Sequence, residues 1–400
     1  MKVTIEKSTA SGRIFAPPSK SMAHRLLICG ALSENSVISD LSESKDILAT
    51  IGCLKNMGAT IDSDGDTVKI GGINPQNING ETELFCNESG STLRFLIPVC
   101  MMSGKKITLT GSSRLFERPL SVYEEICKEQ NIEFIKSANS VTVCGKLKSG
   151  DFTVAGNISS QFITGLLFVL PLLCGDSTLT VTGNFESASY VDLTLDAMKS
   201  FGVGIVRKDN VFYIKGNQKY QNTAISVEGD YSNAAFLDAF NVIGGNVSIS
   251  GLKSDSLQGD RVYSDMFKGL TDGQKCFDLS DCPDLAPVMF AMSAYTGGAE
   301  FTSTARLKIK ESDRAQAMAE ELAKFGIKVT VNENSVTVHN GSLKTPDCVL
   351  YGHNDHRIVM ALSLLCSVTG GEIDGAEAVS KSYPDFFRQI SQLGIIIIKD

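Results

Sequence analysis

The segment LKNMGATIDSDGDTVKI, which begins at Leu54, contains the pattern that decides the fold. A helical apolar stretch ends at Gly58, and two short strands with alternating apolar residues follow around a polar turn. Glycine or asparagine suits the left-handed residue that ends a helix. Similar segments follow along the chain: EQNIEFIKSANSVTVCG from Glu129, MKSFGVGIVRKDNVFYIKG from Met198, LAKFGIKVTVNENSVTVHNG from Leu322, and a truncated QLGIIIIKD at the C-terminus.

Predicted helix starts provide a second marker with the same period. Polar capping clusters precede apolar helical runs. The markers are Lys20, Gly90, Ser160, Tyr231, Asp284 and His356. Successive markers are 70, 70, 71, 53 and 72 residues apart. Two independent markers with one period predict an α/β (α+β) protein of six βαβαββ repeats in two lobes, three repeats in each. The short step of 53 places the meeting of the two halves near Glu228.

Composition narrows the classes of protein that the chain can belong to. The 400 residues are 42% hydrophobic and 20% charged, which is typical of a folded globular protein. The net charge of −8 argues against non-specific nucleic-acid binding. The N-terminus lacks a signal-peptide apolar region, and no apolar run is long enough to cross a membrane, so we expect a cytoplasmic protein.

The cysteines and the absent motifs argue against cofactors. The eleven cysteines include no CxxC pair, and several, such as Cys100 and Cys174, lie in apolar runs. We therefore expect buried, reduced thiols. No Walker P-loop, strand-linked GxGxxG, HExxH or GxSxG occurs. His353 and His356 are poor candidates for a metal site because Arg357 is adjacent.

Cationic residues concentrate in or beside the helix-start clusters of this otherwise acidic chain. They are Lys20, Arg25, Arg94, Arg118, Lys310, Arg314, Arg357 and Lys381. Helix N-termini offer unpaired N–H groups and a positive dipole end, which favour anions. This pattern predicts a cleft that binds anionic small molecules.

Ten motifs in order resemble those of the 5-enolpyruvylshikimate-3-phosphate synthase (3-phosphoshikimate 1-carboxyvinyltransferase) family of enolpyruvyltransferases. They are PPSKSMAHR (17–25), ESGSTLRFL (88–96), ERPL (117–120), SSQF (159–162), SASYVDLTL (187–195), VEGDYS (227–232), CPDLAP (282–287), KESDR (310–314), NDHR (354–357) and KSYPDFF (381–387). The resemblance covers essentially the whole chain. It implies an N-terminal lobe of residues 19–228, a C-terminal lobe of residues 1–18 plus 229–400, and an active site in the interlobe cleft.

The resemblance also implies the reaction. The 5-hydroxyl of shikimate 3-phosphate adds to C2 of phosphoenolpyruvate while C3 is protonated. The tetrahedral intermediate then loses phosphate and a C3 proton to give the enol ether, a step of aromatic amino acid and chorismate biosynthesis. No cofactor or metal is implied. We expect a monomer whose partners are these two substrates and the inhibitor glyphosate, with neither nucleic acid nor a membrane.

Site residues follow from matching the family's motifs. The residues implied for shikimate 3-phosphate are Lys20, Ser21, Arg25, Ser159, Ser160, Gln161, Ser187, Tyr190, Asp284 and Lys310. Those implied for phosphoenolpyruvate are Lys20, Gly90, Arg118, Gln161, Arg314, Arg357 and Lys381. The catalytic group comprises Asp284 as the base for the 5-hydroxyl, Glu311 as the carboxyl group that exchanges a proton with C3, and Lys20 and Lys381. Taken alone, Asp284 could be a helix cap, Glu311 a partner of Arg314, and Arg94 a structural ion-pair partner.

Departures from the family pattern leave alternatives open. Glu88 occupies a position that is often asparagine and brings a carboxylate near the expected anion site. Gly90 leaves room for glyphosate. The sister enzyme that acts on UDP-N-acetylglucosamine typically has asparagine at the position of Ser21 and a cysteine in the loop that reads GSSRLFERP (111–119) here. A catalytically inactive homologue and an RNA 3′-phosphate cyclase are further alternatives. A cyclase should have a basic surface and a nucleotide-activating histidine.

Overall fold

The computed structural model describes residues 1–399. In that range the helices are α1 (Lys20–Leu32), α2 (Lys45–Asn56), α3 (Gly90–Cys100), α4 (Ser113–Glu117), α5 (Ser121–Gln130), α6 (Ser160–Val169), α7 (Ala188–Ser200), α8 (Tyr231–Val242), α9 (Tyr263–Thr271), α10 (Ala286–Thr296), α11 (Arg314–Lys324), α12 (His356–Thr369) and α13 (Phe386–Gln392).

Twenty-two strands accompany these helices in residues 1–399. They are β1 (Lys2–Ile5), β2 (Ser11–Phe15), β3 (Asn35–Ser39), β4 (Thr60–Asp64), β5 (Thr67–Gly71), β6 (Thr82–Phe85), β7 (Ile107–Thr110), β8 (Glu133–Lys136), β9 (Ser140–Cys144), β10 (Asp151–Ala155), β11 (Ser177–Thr182), β12 (Val206–Lys208), β13 (Val211–Ile214), β14 (Ala224–Ser226), β15 (Asn246–Ser250), β16 (Cys276–Asp278), β17 (Ala299–Thr302), β18 (Val329–Val331), β19 (Ser335–Val338), β20 (Leu350–Tyr351), β21 (Gly371–Asp374) and β22 (Ile397–Lys399).

The chain forms two compact units. Residues 20–228 form the N-terminal unit, and residues 1–19 with 229–400 form the C-terminal unit. The predicted boundary lay one residue earlier, after residue 18. Each unit has its own hydrophobic core. Pro18 and Gly229 form an antiparallel bridge, so the two connecting segments lie side by side in the C-terminal unit.

One sheet pattern recurs through both units. In the sheet β6-β7-β9-β8, β6 pairs with β7 in parallel, while β7–β9 and β8–β9 are antiparallel. A parallel pair needs a crossover, which α3 provides, and a short turn suffices for the β8–β9 hairpin. The same order appears in β14-β3-β5-β4, β10-β11-β13-β12, β16-β17-β19-β18 and β20-β21-β1-β22. The predicted α/β repeat fold in two lobes is therefore confirmed.

The repeat that contains α8 and α9 differs from the predicted βαβαββ pattern. Its sheet, β15-β2, has two strands among the described residues, because α9 leads directly into β16 of the next sheet without a hairpin. The missing hairpin explains the short step of 53 residues. The first strand, β1, takes the hairpin position between β21 and β22, so the N-terminus completes the last repeat.

The repeat markers coincide with helix starts. Five of the six are the first residues of α1, α3, α6, α8 and α12. The remaining marker, Asp284, lies in a 3₁₀ turn, Pro283–Leu285, directly before α10. The predicted helix ends are also confirmed: Asn131 and the glycines at 58, 202, 326 and 394 have positive φ.

Candidate active site in the two units

Lys20 begins α1 and forms an ion pair with a carboxylate from the next helix. Its Nζ lies 2.9 Å from Oδ2 of Asp46, in the first turn of α2. A lysine at a helix N-terminus faces the positive end of the dipole, and the aspartate offsets that cost. Asp46 was not predicted from sequence, because only the packing of α1 on α2 reveals the pair.

Arg25 lies one turn after Ser21 and is buried against the start of α7. Its guanidinium donates to the carbonyl of Ser21 at 2.5 Å, the carbonyl of Tyr190 at 2.7 Å and Oγ1 of Thr194 at 2.9 Å. Burial lowers the pKa of Arg25 to about 10, so the group remains charged at neutral pH. The structure therefore brings Ser21, Arg25 and Tyr190 together.

Three serines flank the starts of α6 and α7. Ser159 caps α6 by accepting from the N–H of Gln161 at 3.3 Å, and Ser160 is the first helical residue. Ser187 is the N-cap of α7 and has left-handed backbone, with φ of 56°. A non-glycine residue in this region is uncommon and often has a functional reason. These positions match the helix-start locations that the sequence predicted.

Gly90 begins α3 directly against the guanidinium of Arg118. A Cβ atom built on Gly90 would lie 2.5 Å from Nη1 of Arg118 and 2.8 Å from its Cζ. Arg118 is buried and follows α4 with extended backbone. The observed position of the Arg118 guanidinium therefore leaves no room for a Cβ atom at residue 90, and it brings together two residues expected at one anion site.

Arg94 orients a predicted substrate-binding amide. Its Nη1 donates to Oε1 of Gln161 at 2.8 Å and its Nη2 to the carbonyl of Pro119 at 2.9 Å. Nε2 of Gln161 donates in turn to Oγ of Ser91 at 3.0 Å. The guanidinium also lies 5.1 Å from the ring centre of Phe162. These contacts fix which side of the Gln161 amide bears the NH₂ group.

In the C-terminal unit, Asp284 lies among three cations. Oδ1 accepts from Nη1 of Arg314 at 2.8 Å and from Nζ of Lys310 at 3.2 Å, while Oδ2 accepts from Nη2 of Arg357 at 2.9 Å. Burial opposes the charge of Asp284, but Arg357, Lys310 and Arg314 outweigh it and hold its pKa well below the ordinary value. Asp284 is therefore an ionised hydrogen-bond acceptor.

Arg314 joins the predicted carboxylates to one that sequence reasoning missed. Its Nη2 pairs with Oε2 of Glu311 at 2.8 Å and its Nε with Oδ2 of Asp355 at 2.8 Å. Asp355 is fully buried and also caps α12 by accepting from the N–H of Arg357. Its place before a helix start in NDHR signals a cap, but nothing local in the sequence signals the bond to Arg314.

Arg357 and Lys381 are held by further unpredicted partners. Nη1 of Arg357 donates to Oγ of Ser232 at 2.8 Å, and that hydroxyl donates to Oδ2 of Asp260 at 2.7 Å. Lys381 ends the 3₁₀ segment Ala376–Lys381, and its Nζ donates to the carbonyl of Asn354 at 2.5 Å. The NDHR segment thus contacts both Arg314 and Lys381.

Each unit therefore gathers part of the predicted set. The N-terminal unit holds Lys20, Ser21, Arg25, Gly90, Arg118, Ser159, Ser160, Gln161, Ser187 and Tyr190. The C-terminal unit holds Asp284, Lys310, Glu311, Arg314, Arg357 and Lys381. In the C-terminal group Lys310, Arg314 and Arg357 contact Asp284, and Arg314 also pairs with Glu311 and Asp355.

The structure also bears on the cysteine, metal and membrane expectations. Seven cysteines are buried, but Cys174 is exposed, as are Cys276 and Cys348. The expectation that Cys174 is buried was wrong, because α6 ends at Val169 and the chain reaches the surface beyond it. No group of three or more metal-ligating side chains occurs within residues 1–399. None of the helices in this range is long and apolar enough to span a bilayer.

Comparison with solved structures establishes the class of fold. Two structures of EPSP synthase from Acinetobacter baumannii superpose on the chain with a TM-score of 0.79 at 21% identity. One match covers 99% of both chains and the other 100% of both. The two-unit repeat fold is therefore that of an EPSP synthase.

Sequence comparison then identifies the family. The sequence model of EPSP synthase (3-phosphoshikimate 1-carboxyvinyltransferase) matches residues 5–390. Proteins named 3-phosphoshikimate 1-carboxyvinyltransferase are similar along nearly the whole chain: that of Clostridium kluyveri is 41% identical and that of Clostridium acetobutylicum 42%, each over 98% of this chain and 97% of the relative. That of Clostridioides difficile is 41% identical over the same shares. The chain belongs to the EPSP synthase family, which confirms the resemblance.

Proposed function

We propose that this protein transfers the enolpyruvyl group of phosphoenolpyruvate to the 5-hydroxyl of shikimate 3-phosphate and releases phosphate, in the shikimate pathway that leads to chorismate and the aromatic amino acids. The observation that carries the proposal is the full-length similarity to relatives named for this activity. The cation-rich helix starts of both units support it, because both substrates are small polyanions.

The proposed binding of shikimate 3-phosphate rests mainly on the N-terminal unit. Arg25, whose charge is retained despite burial, binds the carboxylate beside Ser21 and Tyr190. The helix starts at Ser159, Ser160 and Ser187 bind the phosphate. Four further residues complete the proposed set: Gln161, Lys20, Lys310 and Asp284.

The proposed binding of phosphoenolpyruvate uses guanidinium and ammonium groups. Arg118, Arg314 and Arg357 provide guanidinium groups that bind carboxylate or phosphate in bidentate fashion. Lys20 and Lys381 add ammonium groups, and Gly90 contributes its backbone N–H at the start of α3. Glyphosate competes for the same location. Lys20, Arg314 and Arg357 pair with protein carboxylates, and Lys381 donates to a backbone carbonyl; the substrate replaces these contacts in part.

Proton transfer is assigned to two carboxyl groups with different surroundings. Asp284 accepts the proton of the 5-hydroxyl as oxygen attacks C2, and Glu311 exchanges a proton with C3. A substrate anion that accepts hydrogen bonds from Arg357 and Arg314 offsets the positive charge around Asp284 and so raises the pKa of Asp284. Binding thereby converts a weakly basic carboxylate into a better base. Phosphate leaves by cleavage of its bond to C2.

The acceptor decides between this function and its alternatives. Ser21 and the cysteine-free loop at 111–119 favour shikimate 3-phosphate over UDP-N-acetylglucosamine. The test is to incubate the protein with phosphoenolpyruvate and each acceptor, and to identify products by mass spectrometry. We expect the enol ether of shikimate 3-phosphate alone. Product from UDP-N-acetylglucosamine alone would contradict the proposal, and substrate binding without product would favour the inactive homologue.

Cytoplasmic location and a monomeric state stay predictions, which cell fractionation and analytical ultracentrifugation test.

A further inference from the structure

Four buried side chains from α1, α2 and α3 form a continuous chain of hydrogen bonds in the N-terminal unit. Nδ1 of His24 lies 2.8 Å from Oγ1 of Thr50, which lies 2.7 Å from Oγ1 of Thr92. Oγ1 of Thr92 donates to Oγ of Ser89 at 2.7 Å. Each of the four residues is at most 1% exposed. Water therefore does not compete for these bonds, and each one fixes its neighbour.

The chain of hydrogen bonds has a single donor-to-acceptor direction. A threonine hydroxyl has one hydrogen, so Thr92, which donates to Ser89, must accept from Thr50. Thr50 has then used its own hydrogen and must accept from an N–H on Nδ1 of His24. This assigns the tautomer of His24 with the proton on Nδ1. Nε2 is buried and has no hydrogen-bond partner among the described residues.

His24 is neutral in these surroundings. It lies one helical turn after Lys20 on α1 and next to Arg25, and its ring meets Phe95 edge to face. Burial, followed by the charges of Lys20 and Arg25, lowers its pKa well below the ordinary value. A neutral ring has one N–H to donate, as the direction of the chain requires.

The hydrogen-bond chain that starts at His24 ends at Ser89, the N-cap of α3. Oγ of Ser89 also accepts from the backbone N–H of Thr92 at 3.2 Å, so it holds two donors from the first turn. The next residue is Gly90, where α3 meets the guanidinium of Arg118 without room for a methyl group. A small rotation of this helix start would change the distance between Gly90 and Arg118.

We propose that the chain His24–Thr50–Thr92–Ser89 is a positioning device that fixes the start of α3, so that Gly90 and Arg118 are set for phosphoenolpyruvate. The inference rests on the proposed function, since it assigns these four residues to the donor-substrate part of that reaction. An N-cap alone stabilises a helix start, whereas a directed chain from α1 through α2 also fixes the rotamer of the capping hydroxyl.

The test removes one hydroxyl at a time. Thr92→Val deletes both hydrogen bonds of the Thr92 hydroxyl with little change of shape, whereas Thr92→Ser retains the hydroxyl. Thr50→Val breaks the hydrogen-bond chain without altering α3. The matched control is Thr108→Val, which deletes a threonine–threonine bond of 2.9 Å between β7 and β9. We expect both valine variants of the chain to raise the KM for phosphoenolpyruvate about fivefold to tenfold, the loss of one to two hydrogen bonds.

The same variants should leave kcat and the affinity for shikimate 3-phosphate within about twofold of wild type, as expected for a change confined to binding of the other substrate. Thr92→Ser and Thr108→Val should match wild type in all three quantities. Wild-type KM in both Thr92→Val and Thr50→Val would overturn the proposal. So would an equal rise in Thr108→Val, since that effect would be one of general stability.

Two measurements test the structural part of the proposal without an activity assay. Nitrogen NMR of the wild-type protein should show His24 protonated on Nδ1 only, and the opposite tautomer would overturn the assigned direction. Amide hydrogen exchange at Gly90 to Thr92 should accelerate about tenfold in Thr92→Val and not in Thr108→Val. A wild-type protein that forms no product would refute the proposed function. The exchange and NMR data would then still show whether the chain fixes α3.

Discussion

Gly90 and Arg118 are in such close contact that a methyl group on Gly90 would lie 2.5 Å from Nη1 of the arginine. The atoms it would meet belong to the far end of a flexible side chain, and the backbone of Gly90 is that of an ordinary helix start. A substitution here is therefore accommodated by displacing the guanidinium. The cost falls on the position of a charge, with little effect on the stability of the fold.

Gly90→Ala should accordingly weaken donor binding in a protein that folds normally. We expect the KM for phosphoenolpyruvate to rise about tenfold or more, the loss of a charged hydrogen bond. The glyphosate concentration for half-inhibition should rise in the same direction. Steady-state kinetics and thermal unfolding check both parts. The control Gly52→Ala places a methyl group in open space within α2 and should leave the kinetics unchanged. A Gly90→Ala enzyme as sensitive to glyphosate as wild type would contradict the assignment of Gly90 to the phosphoenolpyruvate site.

Asp284→Asn should slow the reaction with little change in binding. The amide has one acceptor oxygen, which keeps the bonds from Arg314 and Lys310 but not the bond from Arg357, and it cannot take up a proton, so we expect kcat to fall about 10²-fold or more. Calorimetry should find affinity for shikimate 3-phosphate close to that of wild type. The control Asp265→Asn changes an exposed carboxylate on α9. An unchanged kcat in Asp284→Asn would remove this residue from the role of base.

Arg94→Lys tests whether Arg94 acts by orienting Gln161. Lysine retains the positive charge but cannot reproduce the fork that reaches Gln161 and the Pro119 carbonyl together. We expect the affinity for shikimate 3-phosphate to fall about threefold to tenfold. Arg388→Lys, at an exposed ion pair with Asp385, provides the control. Equal affinities in Arg94→Lys and wild type would contradict an orienting role.

Asp355→Asn should destabilise the C-terminal unit, because it leaves the buried charge of Arg314 with weaker compensation. Breaking a buried ion pair costs about 3–5 kcal/mol. Since the chain contains no tryptophan, unfolding in urea is best followed by far-ultraviolet circular dichroism. Asp265→Asn should change the free energy of unfolding by less than about 0.5 kcal/mol. A similar small effect of Asp355→Asn would show that the pair contributes little.

The difference in free energy of unfolding between wild type and Asp355→Asn should depend on pH with a definite sign. Burial opposes the charge of Asp355, but Arg314 outweighs it and the folded pKa lies below the ordinary value. The stability that the carboxylate contributes is therefore complete above the unfolded pKa of about 4 and is lost as pH falls through the folded pKa. The gap between wild type and Asp355→Asn should be constant near neutral pH and shrink in acid. A gap that widened in acid would contradict the assignment.

Thiol labelling of the native protein should follow exposure. We expect Cys174, Cys276 and Cys348 to react rapidly. Burial raises the pKa of thiols such as Cys29 and Cys100, so these remain protonated and unreactive until the protein unfolds. Mass spectrometry after brief alkylation identifies the labelled positions. Rapid labelling of Cys29 in the native state would contradict the described core.

Local chemistry explains what the sequence could predict. Helix starts such as Gly90 and Ser160 and helix ends such as Asn131 depend on residues within a few positions, so capping patterns reveal them. The partners of the site residues depend on contacts between distant segments. Asp355 lies 41 residues from Arg314, and Ser232 lies 125 from Arg357. No periodicity in one sequence specifies such pairs.

The repeat that contains α8 and α9 shows the same limit at the level of the fold. The step of 53 residues marked an irregularity, but sequence alone did not indicate that a hairpin was missing. Its absence appears only in the pairing, where β2 and β15 form a two-stranded sheet and β1 joins the last repeat. Strand partners that lie at opposite ends of the chain leave no short-range signal.

Phosphate release is the most direct test of the proposed enolpyruvyl transfer. The purified protein is mixed with phosphoenolpyruvate and shikimate 3-phosphate together, and with each alone, in the presence of a metal chelator. We expect rapid release with both substrates, one phosphate for each enol ether formed, and none with either substrate alone. Release from phosphoenolpyruvate without the acceptor, or no release with both substrates present, would contradict the proposed transfer.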